Sequence, residues 1–193
     1  VNSIIQLREK FINDLISRLE NAFKDAPESM RDENATKRFS ELKSRLEQAL
    51  KDPSVDLFSL VKDVEDFINK ISGERIRERE KIIKDLIDKL DKTFDDASKV
   101  LGSDIERFAR RYNELKAKLE QALKDTSIDI SSLQQDVDAF INSLNDAVRR
   151  RREEEEKQKK TTQLRDRYRE LYNKFMEFYE RLKRFLYQQP NIP

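Results

Sequence analysis

The sequence predicts an all-α protein, with two tandem three-helix bundles of about 73 residues each, joined by a long shared helix and followed by a long aromatic-rich helix. Three observations predict this fold. Only 2 Gly and 4 Pro occur among 193 residues, too few for the tight turns of a sheet protein. Apolar residues recur at spacings of three and four along most of the chain. The pattern of segments also occurs twice, which predicts a duplicated unit.

Three apolar stripes make up the first copy. The first segment covers residues 4–26 and ends at Pro27. The second covers residues 32–51 and ends before Pro53, because the residue before a proline is pushed out of the α region. The third begins near Asp56. We expect one face of each helix to be buried, formed by Ile4, Phe11, Ile12, Leu15, Ile16, Leu19, Ala22 and Phe23, by Phe39, Leu42, Leu46, Ala49 and Leu50, and by Leu57, Leu60, Val61, Val64, Phe67, Ile68 and Ile71.

The same segments then repeat. Residues 39–69 match residues 112–142 at an offset of 73, with 19 identities in 31 positions. The first segment repeats at an offset of 71, so that Asp14-Leu15-Ile16 reappears as Asp85-Leu86-Ile87. The two-residue difference falls in the turn after this segment, where Gly102 lies, and loops absorb insertions at little cost.

These matches predict domains at residues 1–74 and 75–148, followed by a connector and terminal helix at 149–193. Between Asp56 and Ala97 there is no Pro and Gly73 is the sole Gly, so we expect one continuous helix shared by both copies, the alternative being a helix end or hinge at Gly73. This plan resembles the tandem arrangement of spectrin-type repeats in topology. The unit is shorter and the chain has no Trp, so the resemblance implies a fold and no function.

The last part of the chain departs from the repeat. No residue breaks a helix between Asp129 and Gln189, and residues 149–160 are polar on every face. Pairs at i,i+4, such as Glu153–Lys157, Glu155–Lys159 and Glu156–Lys160, can stabilise such a helix, so we expect a solvated connector there.

An aromatic stripe with heptad spacing begins at Leu164. Seven aromatics lie between residues 168 and 187, against 16 in the chain. We expect this stripe to be covered in one of three ways: by packing within the chain, by another protein or a second copy, or by a lipid surface or small apolar ligand. The lipid surface is included because basic residues outnumber acidic ones here. The candidate interaction surface consists of Tyr168, Leu171, Tyr172, Phe175, Phe178, Tyr179, Leu182, Phe185 and Leu186.

Composition argues against most chemistry. The chain has no His, which removes the commonest general base, the usual partner that activates a nucleophile and the commonest metal ligand. It has no Cys, which excludes disulfides and thiolate metal sites. With two glycines there is no phosphate-binding loop. We therefore expect no enzyme, no cofactor and no metal. The 40 basic and 39 acidic residues nearly cancel, so we expect no nucleic acid as a partner, and no apolar run is long enough for a membrane span.

Smaller motifs have structural explanations. The segments 52–56 and 125–129 are rich in side-chain oxygens, but they lack the spacing of a calcium loop, and we expect Ser54 or Asp56, and Ser127 or Asp129, to cap the following helices. Asn34-Ala35-Thr36 fits the glycosylation acceptor pattern, which matters only in a secreted protein.

We therefore expect a non-enzymatic structural or interaction protein that docks another protein, or a second copy of itself, through its last helix. The alternative is a secreted bundle of amphipathic helices that binds lipid or a small apolar ligand, in the manner of exchangeable apolipoproteins. The compartment, cytoplasmic or secreted, is undetermined. The chain begins with Val1 and not Met, which indicates a processed or trimmed product and leaves room for a removed signal peptide.

Overall fold

A computed structural model of the chain describes residues 2–188, and within that range it is all-helical, with no strand. The predicted all-α class is confirmed. The last helix was expected to continue to Gln189 and the third domain to residue 193. Residues 189–193 lie outside the described residues. The helices are α1 (Asn2–Lys24), α2 (Glu33–Lys51), α3 (Leu57–Leu101), α4 (Glu106–Lys124) and α5 (Ile130–Gln188), with short 3-10 helices at Glu28–Met30 and Gly102–Ile105.

Helix α3 runs without interruption through Gly73, which is therefore not a helix end. A Cβ placed on Gly73 would meet no atom within 4 Å, so no close packing requires a glycine there. Gly102 is different, because its φ of +57° is in the left-handed region. That conformation is typical of the residue just after a helix, and it ends α3 where the two copies were expected to differ.

The chain divides into two compact units. The first contains the residues up to Asp88 together with Ala117–Leu133, and the second contains Lys89–Lys116 together with the residues from Gln134 onward. The borders between these units fall inside helices α3, α4 and α5. The domain boundaries expected near residues 74 and 148 therefore stay predictions.

The first unit holds a core to which α1, α2 and the start of α3 each contribute. Phe23 and Phe39 stack beside it, with ring centroids 4.3 Å apart. The apolar spacing of the sequence explains this core, since residues three and four apart share a helix face. Its buried members are Ile12, Leu15, Leu19, Ala26, Met30, Ala35, Leu42, Leu46, Ala49, Leu60, Val64, Phe67 and Ile71.

The second unit repeats the aromatic stack with one change. Phe94 and Tyr112, the counterparts of Phe23 and Phe39, stack with centroids 4.0 Å apart. The Tyr112 hydroxyl also donates a short hydrogen bond to the carboxylate of Asp91, a bond that a phenylalanine cannot make. Lys116 donates to the same carboxylate at 3.2 Å.

The first stripe is buried over less of its length than the sequence predicts. Ile4 and Phe11 were expected on the buried face, but they are exposed. The expectation for both residues was wrong. For Ile4 the reason is geometric, since Arg8, one turn later, already reaches the carbonyl of Ala49 at the end of α2, so the first turn of α1 extends past α2. Phe11 lies one position from the fully buried Ile12, at the edge of the buried stripe.

Candidate interaction surface

The surface that we call the tail face lies on the last part of α5, where the sequence placed its candidate residues. All of its residues are between 45% and 67% exposed. The structure thus places the whole predicted set on one exposed helix, and the alternative of packing within the described chain is wrong. The tail face consists of Leu164, Tyr168, Leu171, Tyr172, Phe175, Phe178, Tyr179, Leu182, Phe185 and Leu186.

The connector before the tail face is held as a helix by ion pairs along its surface. Glu156 and Lys160 pair at 3.5 Å, as the sequence predicts. Arg151 pairs with Glu155 at 3.4 Å and with Asp104 at 2.8 Å, which ties the connector to the 3-10 helix after α3. Exposed pairs contribute only fractions of a kcal/mol each, roughly 0.2–1, so they favour the helix without fixing it strongly.

The two edges of the tail face differ in charge. One edge is basic, since Arg167, Lys174 and Arg181 recur every seven residues, and all three are exposed. The opposite edge begins with Arg165 and continues with Tyr172, Tyr179 and Leu186. Lys174 forms an exposed pair with Glu170 at 3.5 Å. The face is therefore apolar in the middle, cationic on one side and aromatic on the other.

Sequence reasoning missed an arginine clamp that occurs twice. Arg8 donates to the carbonyls of Ala49 at 2.6 Å and Val55 at 3.0 Å. Arg79 donates in the same way to the carbonyls of Ala122 at 2.6 Å and Ile128 at 2.7 Å. Carbonyls at a helix end have no hydrogen-bond donor within the helix, and the N–H groups of the guanidinium serve as donors for them. The sequence offers a signal for these clamps, because an arginine occupies the matching position in both copies, Arg8 and Arg79, at the 71-residue offset of the first segment.

The turns that these clamps grip are fixed by aspartates. Asp56 accepts from the amide of Phe58 at 3.0 Å, and Asp129 accepts from the amide of Ser131 at 3.0 Å, so the aspartates are the capping residues. The serines that were the other candidates instead donate backward, with the hydroxyl of Ser127 at 2.6 Å from Asp125. An equivalent bond joins Ser54 and Asp52 in the first copy.

These hydrogen bonds lower carboxyl pKa values. The Ser54 hydroxyl and amide hold the pKa of Asp52 below its ordinary value, and those of Ser127 do the same for Asp125. The pKa of Asp129 is lowered by the amide and hydroxyl of Ser131. In each case the donors stabilise the ionised form, as expected for an acceptor in a turn.

Three donors, Lys43, Tyr112 and Lys116, have raised pKa values, and the hydrogen bond to Glu20 is the main cause for Lys43. Partial burial, followed by the hydrogen bond to Asp91, raises the pKa of Tyr112. The bond to Asp91 also raises the pKa of Lys116. Both shifts keep the proton on the donor, which favours the hydrogen bonds that join the helices at Asp91.

Over residues 2–188, no group of three or more acidic side chains lies close enough together to hold a metal ion. In the same range, no helix has the length and apolar character needed to cross a membrane. Asn34 of the glycosylation pattern is exposed in the first turn of α2.

No protein-family model matches the chain, and no curated protein or solved structure is significantly similar to it.

Proposed function

We propose that this chain is a non-enzymatic helical-repeat protein that docks another protein through the tail face. The observation that carries the proposal is the contrast in exposure along one sequence. Apolar stripes of the repeated segments are largely buried, whereas the aromatic stripe of the tail face is exposed throughout. Exposed apolar patches larger than a few hundred Å² are uncommon on isolated proteins and mark interaction sites.

The finer architecture that we propose is a pair of tandem three-helix bundles sharing α3. Its support is the recurrence of individual contacts at the offsets of the duplication. The pair Lys43–Glu20 at 3.0 Å corresponds to Lys116–Asp91 at 3.2 Å. The contact between Arg38 and Asp63 at 3.9 Å likewise corresponds to one between Arg111 and Asp136 at 3.8 Å. A duplicated fold explains why surface pairs, which are weakly selected, recur at matching positions.

A role without catalysis is supported by the chemistry that the side chains offer. Without His or Cys, acid–base or nucleophilic work would fall to carboxylates, lysines or tyrosines with strongly altered titration. In the described chain, the groups with shifted pKa values are the turn aspartates and the donors Lys43, Tyr112 and Lys116, and a hydrogen bond to a neighbouring side chain or amide contributes to each shift. The proposal therefore assigns the bundles to positioning and the tail face to binding.

Site-specific crosslinking in cells that produce the protein tests docking directly. A photoreactive phenylalanine analogue at Phe178, in the tail face, should give a discrete crosslinked protein band that Leu182→Gln abolishes. The same analogue at Phe58, which is 81% exposed but lies outside the tail face, is the matched control. Equal crosslinking from both positions, or none from Phe178, would contradict the proposal.

The alternative function is binding to a lipid surface. It is favoured by the basic residues on the polar side of the same helix, which outnumber the acidic ones: Arg165, Arg167, Arg169, Lys174, Arg181, Lys183 and Arg184. Flotation with vesicles of mixed neutral and anionic phospholipid separates the two functions. Docking to protein predicts that the chain stays with the soluble fraction. Flotation that Phe175→Gln with Phe178→Gln abolishes would favour the lipid function.

A further inference from the structure

We propose that the tail face is covered by the same face of a second copy of this chain, with the two tail helices running parallel as a coiled coil. This inference rests on the proposed function, since it names the protein that docks. Three properties of the tail carry it: the register of its apolar residues, the chemistry of its two edges, and its area.

The apolar residues form a coiled-coil seam with a defined beginning. Tyr168, Phe175 and Leu182 occupy one heptad position, and they alternate with a second position. Before the seam, the same two positions hold Lys157 and Thr161, which cannot pack in an apolar interface. The second position holds Leu164, Leu171, Phe178 and Phe185. The helix therefore becomes suited to pack on a partner helix from Leu164 onward.

The edges of the tail face determine which direction a second copy can run. In a parallel pair, each residue of the basic edge meets the residue of the opposite edge that lies five positions later in the other helix. Arg167 would then lie beside Tyr172 of the second copy, and Lys174 beside its Tyr179. A cation over a tyrosine ring is attractive, and the aliphatic stems cover apolar surface. The chain thus carries both the cations and the rings that the pairing needs.

An antiparallel pair would place like edges together. In the register that overlaps the whole tail face, Arg167 would approach Arg181 of the second copy, and the two copies of Lys174 would approach each other. Like charges in such positions are destabilising. The charge pattern therefore favours the parallel direction.

The area of the tail face is sufficient for a stable complex. An aromatic side chain buries roughly 150–250 Å² when it is fully covered. The ten residues of the tail face are each about half to two thirds exposed. They offer on the order of 1,000 Å² per copy, against the roughly 800 Å² per partner of a standard interface.

Single cysteines test both the partner and its direction, because the chain has none of its own. Leu164→Cys and Phe185→Cys mark the two ends of the tail face, about 31 Å apart along a helix. In the parallel pair, each purified full-length variant should form disulfide-linked dimers by itself under mild oxidation. Crosslinking only when the two variants are mixed would show antiparallel packing and overturn the proposal. Phe58→Cys is the control and should stay unlinked.

Sedimentation equilibrium of the unmodified full chain gives the second readout. We expect a mass of at least twice 23.1 kDa. Phe175→Gln with Phe178→Gln should weaken association by about 100-fold or more, as for truncation of central interface residues. Lys174→Glu should weaken the parallel pair, because it removes the cation beside Tyr179 of the second copy. In an antiparallel pair the same change would only replace one like-charge contact with another.

A monomer at all concentrations would overturn self-association. If crosslinking from Phe178 in cells then gives a band that contains a different protein, docking survives and only the second copy is wrong. If that crosslinking also fails, both proposals fall.

Discussion

The repeated segments and the tail carry similar stripes of large apolar residues in opposite environments. Leu46 and Leu119 are buried, whereas Leu171 is 54% exposed on an equally regular helix. The difference shows what a stripe alone cannot specify. Helical spacing sets which residues share a face, but only a second helix removes that face from water. The stripes of the repeated segments are followed by turns after which another segment packs on them. Beyond residue 148, α5 continues through the polar connector to the tail face without a turn.

The largest expected difference between the two regions is in stability. Leu119→Ala should lower the free energy of unfolding by about 2–5 kcal/mol, because it removes buried methyl groups and leaves a cavity. Leu171→Ala should change it by less than about 0.5 kcal/mol when the chain is monomeric. Urea unfolding at low protein concentration measures both. An equal loss for the two variants would mean that the tail face is packed in the folded chain.

The arginine clamps should come next in size. Arg79→Met leaves the carbonyls of Ala122 and Ile128 without their charged donor, so we expect a loss of about 1–3 kcal/mol. Arg8→Met should cost a similar amount in the first copy. Arg77→Met is the matched control, since Arg77 is exposed and forms only a surface pair with Glu74. A clamp variant as stable as this control would refute the role that we assign to Arg79.

A smaller effect is expected where the two copies differ. Tyr112→Phe removes the hydrogen bond to Asp91 but keeps the ring stack with Phe94, so the loss should be about 0.5–1.5 kcal/mol. The residue then matches Phe39 of the first copy. Thermal unfolding of Tyr112→Phe against Tyr112→Leu separates the two contributions, and the leucine variant should be the less stable. If they are equally unstable, the stack contributes nothing.

The sequence predicted the helices well because their causes are local. Spacing, proline and the internal match located four turns, and the absence of breakers correctly predicted that α3 passes through Gly73. The exposure of Ile4 could not be predicted in this way, since it depends on where α2 ends relative to α1. The arginine clamps also join residues more than forty positions apart.

The tail face was located by its spacing, but its exposure was not. The heptad pattern is the same for a helix packed within its own chain and for one packed on a partner. The deciding fact is long-range, namely whether another part of the chain returns to cover α5. The polar residues 149–160 pointed to a solvated connector, yet they placed no limit on the environment of the aromatic stripe beyond them.

The smallest effect should come from the turns, and its dependence on pH separates them from the tail. The pKa of Asp125 is lowered in the folded chain by its bonds from Ser127. A lowered folded pKa adds stability that is present above the unfolded pKa, near 3.9, and is lost as the pH falls through the folded pKa. Ser127→Ala removes the hydroxyl bond, so the folded pKa should rise toward the unfolded one. We therefore expect this variant to lose less stability than the parent between pH 5 and about pH 2.5, because it has less to lose. Thr161→Ala in the tail is the control, since the Thr161 hydroxyl donates to the carbonyl of Lys157 and to no carboxylate. Urea midpoints at the two pH values measure the effect, and a parallel shift of all three proteins would show that the Asp125 turn has no linkage to folding.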